Sequence, residues 1–349
     1  MNKYSASDVS LYVPCYNAIS TIERCLEGVL SQTVMPSRII LVDDGSTPPL
    51  SLSGRFIKDV EILIQPVNMG LSAARNKALS NISSPLVASL DSDVVPASRW
   101  LETLLDTMNS FDIAGAGGRL NEFYQDTLGD RWRAVHMAQH WGDAPLMNPR
   151  FIYGANNIFR TDILASLGNY NSELRTNYED MLMCELLYSK GYKMRYEPSA
   201  LCSHLRKDTE ESILRGFWQW FHAKGIINGE FKSPEGILDR ITRVNFGVGR
   251  YRYKMDKEAG RNDFLKLDIL IPWVFCALDL KKASSIGLAG ELPLFPEDEE
   301  LSLLPDHLAK LLGKIIGPAP RATVAKPWHS EYHRLFGENL KDYGTGADL

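Results

Sequence analysis

The chain predicts an α/β fold: a doubly wound, mostly parallel sheet with helices on both faces, plus a mainly helical C-terminal region. Three observations predict it. Short apolar runs alternate with amphipathic helical stretches from Val9 to Met108, as in a parallel sheet. The runs are almost continuously apolar, as strands buried on both faces are. Polar clusters follow the runs at Tyr16-Asn17, Asp43-Asp44 and Asp91–Asp93, and open α/β sheets bind ligands beyond the carboxyl ends of their strands.

Val9–Pro14 reads as the first strand. Ser20, with Glu23 three residues on, forms a capping box that opens a helix, whose apolar face is Ile22, Leu26, Val29 and Leu30. Arg38–Val42 is the second strand and runs into the turn sequence Asp43 to Thr47. Val60–Gln65 is the third, and Ser72–Leu79 is a short helix carrying Arg75. Leu86–Leu90 is a buried strand. Pro96 suits the first turn of the next helix, with Trp100, Leu101, Leu104, Leu105 and Met108 on its apolar side. Ile113–Leu120 is a glycine-rich strand, and Asn121–Arg150 is irregular, with Trp132, His136, His140 and Trp141. Phe151–Arg160 is a strand with an internal turn, and Asp162–Leu167 a short helix. A further helix begins at Glu179-Asp180 and stops at Gly191. Lys193–Tyr196 and Ala200–Ser203 are short strands before His204, and Glu210–Ile227 is a helix. Later helices are expected over 234–244, 263–280 and 301–316, with a polar end from Gly337 onward. The domain boundary is placed after 228: an α/β domain over 1–228 and a helical region over 229–349 for partner, membrane-surface or oligomer contacts.

Composition narrows the function classes. The chain has 349 residues, 44% hydrophobic and 23% charged, ordinary for a globular protein. A net charge of −5 offers no basic field for nucleic acid. Five scattered cysteines without a CxxC pair indicate neither zinc nor a disulfide framework. The start shows no signal peptide, and the apolar stretch Phe264–Leu280 is broken by Lys266, Asp268, Pro272 and Asp279. It is too short and too interrupted to span a bilayer. The expected location is cytoplasmic, with room for peripheral contact at the inner face of a membrane.

The chemistry concentrates at LVASLDSD, Leu86 to Asp93. Asp91 and Asp93 are two residues apart, so in extended backbone both side chains point the same way. A divalent cation relieves their repulsion, and oxygen donors suit Mg²⁺ or Mn²⁺. Asp-x-Asp after a strand is also an ordinary turn sequence.

Several stretches in order then resemble one family. VSLYVPCYNAISTIERCLEGVLSQT, IILVDDGST, NMGLSAARNKAL, SLDSDVVP, YGANNIFR and NYEDMLMCELLYSKGY are similar to a family 2 glycosyltransferase of the GT-A fold, from Val9 to His204. The resemblance implies an inverting enzyme. It would move one sugar from a UDP- or GDP-sugar to an acceptor hydroxyl, with Mn²⁺ or Mg²⁺ on the diphosphate. It implies that Pro14 and Tyr16 line the base and ribose, that Asp44 hydrogen-bonds the base, and that Arg75 lies near the diphosphate. Asp91 and Asp93 match the metal-binding Asp-x-Asp, Asp180 the general base, and His204 a further metal ligand. The acceptor would be a glycan, a lipid-linked glycan, a protein or a small molecule.

Other functions fit less well. The Gln-x-x-Arg-Trp motif of processive synthases is absent; RGFWQWFHAKG stands there. No glycine-rich, lysine-bearing loop follows the first strand, which disfavours a nucleotidyltransferase. VDDGST has adjacent acids, unlike the Asp-x-Asp phosphatases, and no GxGxxG follows a strand, as a dehydrogenase needs. The remaining alternative is a catalytically inactive protein of this fold that binds nucleotide or glycan.

Overall fold

The computed structural model describes residues 3–288 and 306–316. The chain divides into two compact units. One comprises Met1–Gln125 and Ala134–Lys207, the other Asp126–Arg133 and the chain from Asp208 onward. The break precedes the helix at Glu210, earlier than the 228/229 boundary expected from sequence. That helix packs against the long apolar helix Leu265–Ser285, so it belongs with the helical part.

In the first unit, nine strands form one sheet: β1 Val9–Cys15, β2 Arg38–Asp44, β3 Glu61–Gln65, β4 Leu86–Leu90, β5 Val94–Pro96, β6 Gly115–Glu122, β7 Leu146–Met147, β8 Asn156–Arg160 and β9 Met194–His204. Their order is β3-β2-β1-β4-β8-β6-β9-β5, with β7 beside β9. The half from β3 to β4 is wholly parallel. β8 enters antiparallel to both β4 and β6. β1 and β4 are buried at every position, as their unbroken apolar sequences require.

Helices α1 Ile22–Leu30, α2 Leu71–Leu79, α3 Trp100–Ser110, α5 Thr161–Ser166 and α6 Glu179–Ser189 belong to this unit; α4, Leu128–His136, crosses the boundary. α1 buries Ile22, Cys25, Leu26 and Val29. Its expected capping box at Ser20 does not form. Thr21 is the N-cap, without a side-chain cap bond, and Glu23 instead accepts a hydrogen bond from the Ser53 amide at 2.7 Å. Pro96 does not start α3. It ends β5, whose pairing with β9 overrides the helix signal, and α3 begins at Trp100. The strand expected over Phe151–Arg160 is only Asn156–Arg160. The two short strands expected before His204 are one strand, β9, with a register shift opposite Gly117–Arg119.

That shift needs a glycine. A Cβ on Gly118 would lie 1.9 Å from the Ala200 carbonyl oxygen and 2.7 Å from Asn156 Nδ2.

The second unit is helical: α7 Glu210–Ile227, α8 Pro234–Arg240, α9 Phe246–Glu258, α10 Leu265–Ser285 and α11 Asp306–Ile316. α9 was not foreseen, and a π-helical turn at Ile241–Asn245 joins it to α8. α11 covers the later part of the helix expected over 301–316; residues 289–305, with PLFPEDEE, and the end from Gly337 lie outside the described residues. α10 is buried around nearly its whole circumference, as a helix apolar on all sides must be. Its acids are partnered. Asp279 accepts from Trp218 Nε1 at 2.8 Å, Arg240 Nε at 2.8 Å and Asn245 Nδ2 at 2.9 Å, and Asp268 accepts from Trp132 Nε1 at 3.0 Å. Among the described residues no helix is long and apolar enough to cross a membrane.

Gly118→Ala should destabilise the protein by about 1–3 kcal/mol, because a carbonyl held in a sheet cannot retreat from the new methyl. Urea denaturation measures it; unchanged stability would refute the close-packing account.

Candidate active site

The loops after β1 and β2 are tied together first. Asn17, at φ 52°, turns the chain so that its amide donates to Ser46 Oγ and its Oδ1 accepts from the Thr47 amide, each at 2.9 Å. Asp43 holds the same turn, accepting from the amides of Ser46 and Leu50 at 3.0 Å. Tyr16 is left 53% exposed at the rim.

Three expected residues sit deeper than sequence suggested. Pro14 is buried within β1, beside Val42 of β2, because the strand runs one residue further than expected. Asp44 is buried and accepts from Gln65 Nε2 and the Met69 amide at 2.7 Å and the Gly70 amide at 2.8 Å. Those three donors make it the anchor of the 65–70 loop. Arg75 is 1% exposed and is held by its own polar partners. Its Nη1 donates to Ser89 Oγ at 2.8 Å and to the Gly154 carbonyl at 3.0 Å. Its Nη2 donates to Asp91 Oδ1 at 3.0 Å, and its Nε faces Glu179 Oε1 at 3.5 Å. An internal guanidinium needs such partners, since desolvating it without them is prohibitive.

Asp93 and His204 come together. His204 Nε2 is 3.4 Å from Asp93 Oδ2, and its Nδ1 is 2.9 Å from Glu122 Oε2. Register explains this: His204 lies opposite Val94 of β5 and Glu122 of β6. The Leu205 amide also donates to the Asp93 carbonyl at 2.7 Å. Burial would raise the Asp93 pKa, but His204, with Arg206 behind it, brings it down to about 2. Burial would lower that of His204, but Asp93 and Glu122 bring it up to about 9.

The donor set fits a divalent ion. A carboxylate and an imidazole face each other, and the far ring nitrogen is held by a second carboxylate, the arrangement that orients metal-bound histidines. Asp91 Oδ1 accepts from Arg75 Nη2, which leaves its second oxygen beside the strand end of the Asp93–His204 pair.

Asp180 is on the first turn of α6. Its Oδ2 accepts from the Gly154 amide at 2.9 Å and its Oδ1 from the Met181 amide at 2.8 Å. Burial raises its pKa, and those amides oppose the rise. Asn177 and Tyr178, which precede α6, both have positive φ, 61° and 69°. Such backbone in a bulky residue is strained and is held by its surroundings. Gly154 is the meeting point, since its carbonyl accepts from Arg75 while its amide donates to Asp180. A Cβ there would lie 2.6 Å from Arg75 Nη2.

Beside Asp93 lies a hollow of about 410 Å³, lined among others by Tyr16, Arg24, Ser92, Tyr124, Arg206 and Lys207. Arg24 Nη1 is 3.3 Å from Tyr124 Oη, and Lys207 Nζ sits 4.3 Å from the centre of the Tyr124 ring. Sequence reasoning missed these cations. The signal was present as HLRK, Arg206-Lys207 directly after the candidate ligand His204. Glu122 had none, since only strand pairing brings it there.

Residues 10–168 match the family model "Glycosyl transferase family 2". Over that segment the chain is similar to this family. A pre-mycofactocin glycosyltransferase of Mycobacterium tuberculosis is 31% identical over 209 residues, which are 57% of this chain and 43% of that protein. This chain therefore spans less than half the length of that relative. A glucosyl-dolichyl phosphate glucuronosyltransferase of Haloferax volcanii is 25% identical over 238 residues, 61% of this chain and 75% of that protein. Among solved structures, GalNAc-T7 with UDP, GalNAc and Mn²⁺ is 15% identical at a TM-score of 0.47, over 62% of this chain and 47% of that one. S. aureus TarS with UDP is 14% identical at the same TM-score, over 79% and 87%.

Arg75→Met should cost about 1–3 kcal/mol, because it leaves Ser89, the Gly154 carbonyl and Asp91 without their buried donor. Asp44→Ala should release the 65–70 loop, with faster amide exchange at Met69 and Gly70. Native stability in the first variant, or native protection in the second, would contradict these roles.

Proposed function

We propose that this glycosyltransferase moves one sugar from a nucleoside diphosphate sugar, UDP- or GDP-linked, to an acceptor hydroxyl with inversion. The carrying observation is that Gly154 and Arg75 join Asp180 to Asp91, at the same strand ends as Asp93 and His204. A general base and a diphosphate site then share one rigid frame.

Asp93 and His204 would hold Mn²⁺ or Mg²⁺, which when bound supplies positive charge for the leaving diphosphate. Arg24, Arg206 and Lys207 add charge on the protein side of the hollow, the role sequence had given to Arg75. Tyr16 offers a face for the nucleoside. Asp91 holds Arg75 and keeps one oxygen for ribose or sugar hydroxyls. Asp180 takes the proton of the acceptor hydroxyl as it attacks the anomeric carbon. Its two amide donors and the start of α6 favour the ionised form that can accept it. The acceptor is proposed to be a glycan or lipid-linked glycan; the name of the haloarchaeal relative, which specifies glucosyl-dolichyl phosphate, supports the second.

Asp180→Asn should leave donor and Mn²⁺ binding nearly unchanged while kcat falls by about 10²–10⁴. Full turnover by this variant would end the base assignment. If the wild type binds donor but transfers nothing to any acceptor, the inactive binding-protein reading gains instead.

Glu122→Gln should weaken Mn²⁺-dependent UDP or GDP binding about 10–100-fold by releasing His204, and Asp93→Ala should abolish it. Titration calorimetry with and without Mn²⁺ checks both; unaltered affinity in either variant argues against the metal site.

A further inference from the structure

The helical unit holds a second basic hollow. It measures about 400 Å³ and is lined by Glu210, Lys266, His307, Leu308, Lys310, Leu311 and Lys314. Three lysines and a histidine meet there in a chain whose net charge is −5. The acid in the lining is Glu210, engaged with Lys266 at 2.6 Å.

Lys266 is paired with Glu210, whereas Lys310 and Lys314 have no second acid beside them among the described residues of the lining. Lys310 and Lys314 are four residues apart on α11, a spacing at which like charges repel. Lys266 is the second residue of α10, at the positive end of the helix dipole. Leu308, Leu312, Ile315 and Ile316 of α11 are buried while His307, Lys310 and Lys314 are exposed. Packing thus holds the helix with its basic stripe outward, over the hollow. An anion there would relieve the repulsion between Lys310 and Lys314. Small bound groups are accommodated in cavities of this size, and several ammonium groups around one point match a phosphate better than a carboxylate, because a phosphate offers more acceptor oxygens.

We propose that the α10–α11 hollow binds a phosphate group, carried either by an anionic lipid headgroup or by a soluble phosphate ester. The site is built from side chains outside the catalytic unit and does not depend on the reading of Asp180, Asp93 or His204.

The full chain and its Lys310→Gln/Lys314→Gln variant are compared. Each is titrated with inorganic pyrophosphate in EDTA, then co-sedimented with phosphatidylcholine vesicles with or without phosphatidylglycerol. The wild type should bind, and the variant should bind about tenfold or more weakly, as losing two ammonium contacts predicts. Loss in the vesicle arm alone identifies a lipid phosphate, and loss in the pyrophosphate arm alone a soluble ester. Binding to neither probe, or equal binding by wild type and variant, overturns the proposal. Mn²⁺-dependent UDP binding is measured on the same variant; it should be unchanged, so failure of the donor site would be seen separately.

Discussion

The candidate site depends on one buried positive charge. Arg75 reaches three directions at once: toward Asp91 after β4, toward the Gly154 carbonyl before β8, and toward Glu179 at the start of α6. None of these segments is adjacent in sequence. A guanidinium in this interior is tolerable only with acceptors all round, and so the segments must converge for the protein to fold. Glu179 is drawn inward as a result. Burial and the neighbouring Asp180 push its pKa up to about 8, against the pull of Arg75. The next residue, Asp180, is less enclosed and finds the Gly154 amide. Adjacent acids on one helix turn thereby acquire different surroundings.

Strand pairing is the second constraint. β9 runs between β6 and β5, and the common register sets Glu122, His204 and the segment after Asp93 side by side. A histidine between two carboxylates is stabilised as a cation, and the same geometry suits a metal in place of the proton, since both neutralise Asp93. The HLRK run continues from this point into the hollow, so one strand end supplies the imidazole and the basic side chains.

The helical unit follows the same rule in a different setting. Asp279 lies in the most apolar stretch of the chain and is fully buried, yet Trp218, Arg240 and Asn245 converge on it. Trp218, half-buried on α7, is thereby tied to α10. Gly249 of α9 packs against the ring of Pro272 within α10, where a Cβ would lie 2.5 Å from Cγ. Charge pairing and close approach explain the polar interruptions of α10.

The alternation of apolar runs and helical faces was enough to read the α/β class, because burial on both faces leaves a largely apolar signature in the central strands β1 and β4. Asp91 and Asp93 drew attention because they follow a buried strand, whereas Asp180 and His204 were singled out by the resemblance and not by local pattern. Glu122 was invisible, since register between distant strands leaves no mark in local sequence. The same holds for the surroundings of Arg75 and Asp44: the resemblance implied ligand contacts, and the segments that bury both lie far away in sequence. Pro96 and Ser20 carried good helix-start chemistry, but the pairing of β5 with β9 and the Glu23–Ser53 bond outweighed those local preferences. Sequence by itself determined the alternation of buried strands and amphipathic helices that gives the α/β class, because that follows from local periodicity. Tertiary structure alone decided which charges face each other, because a buried charge takes its partners from wherever in the chain the fold supplies them.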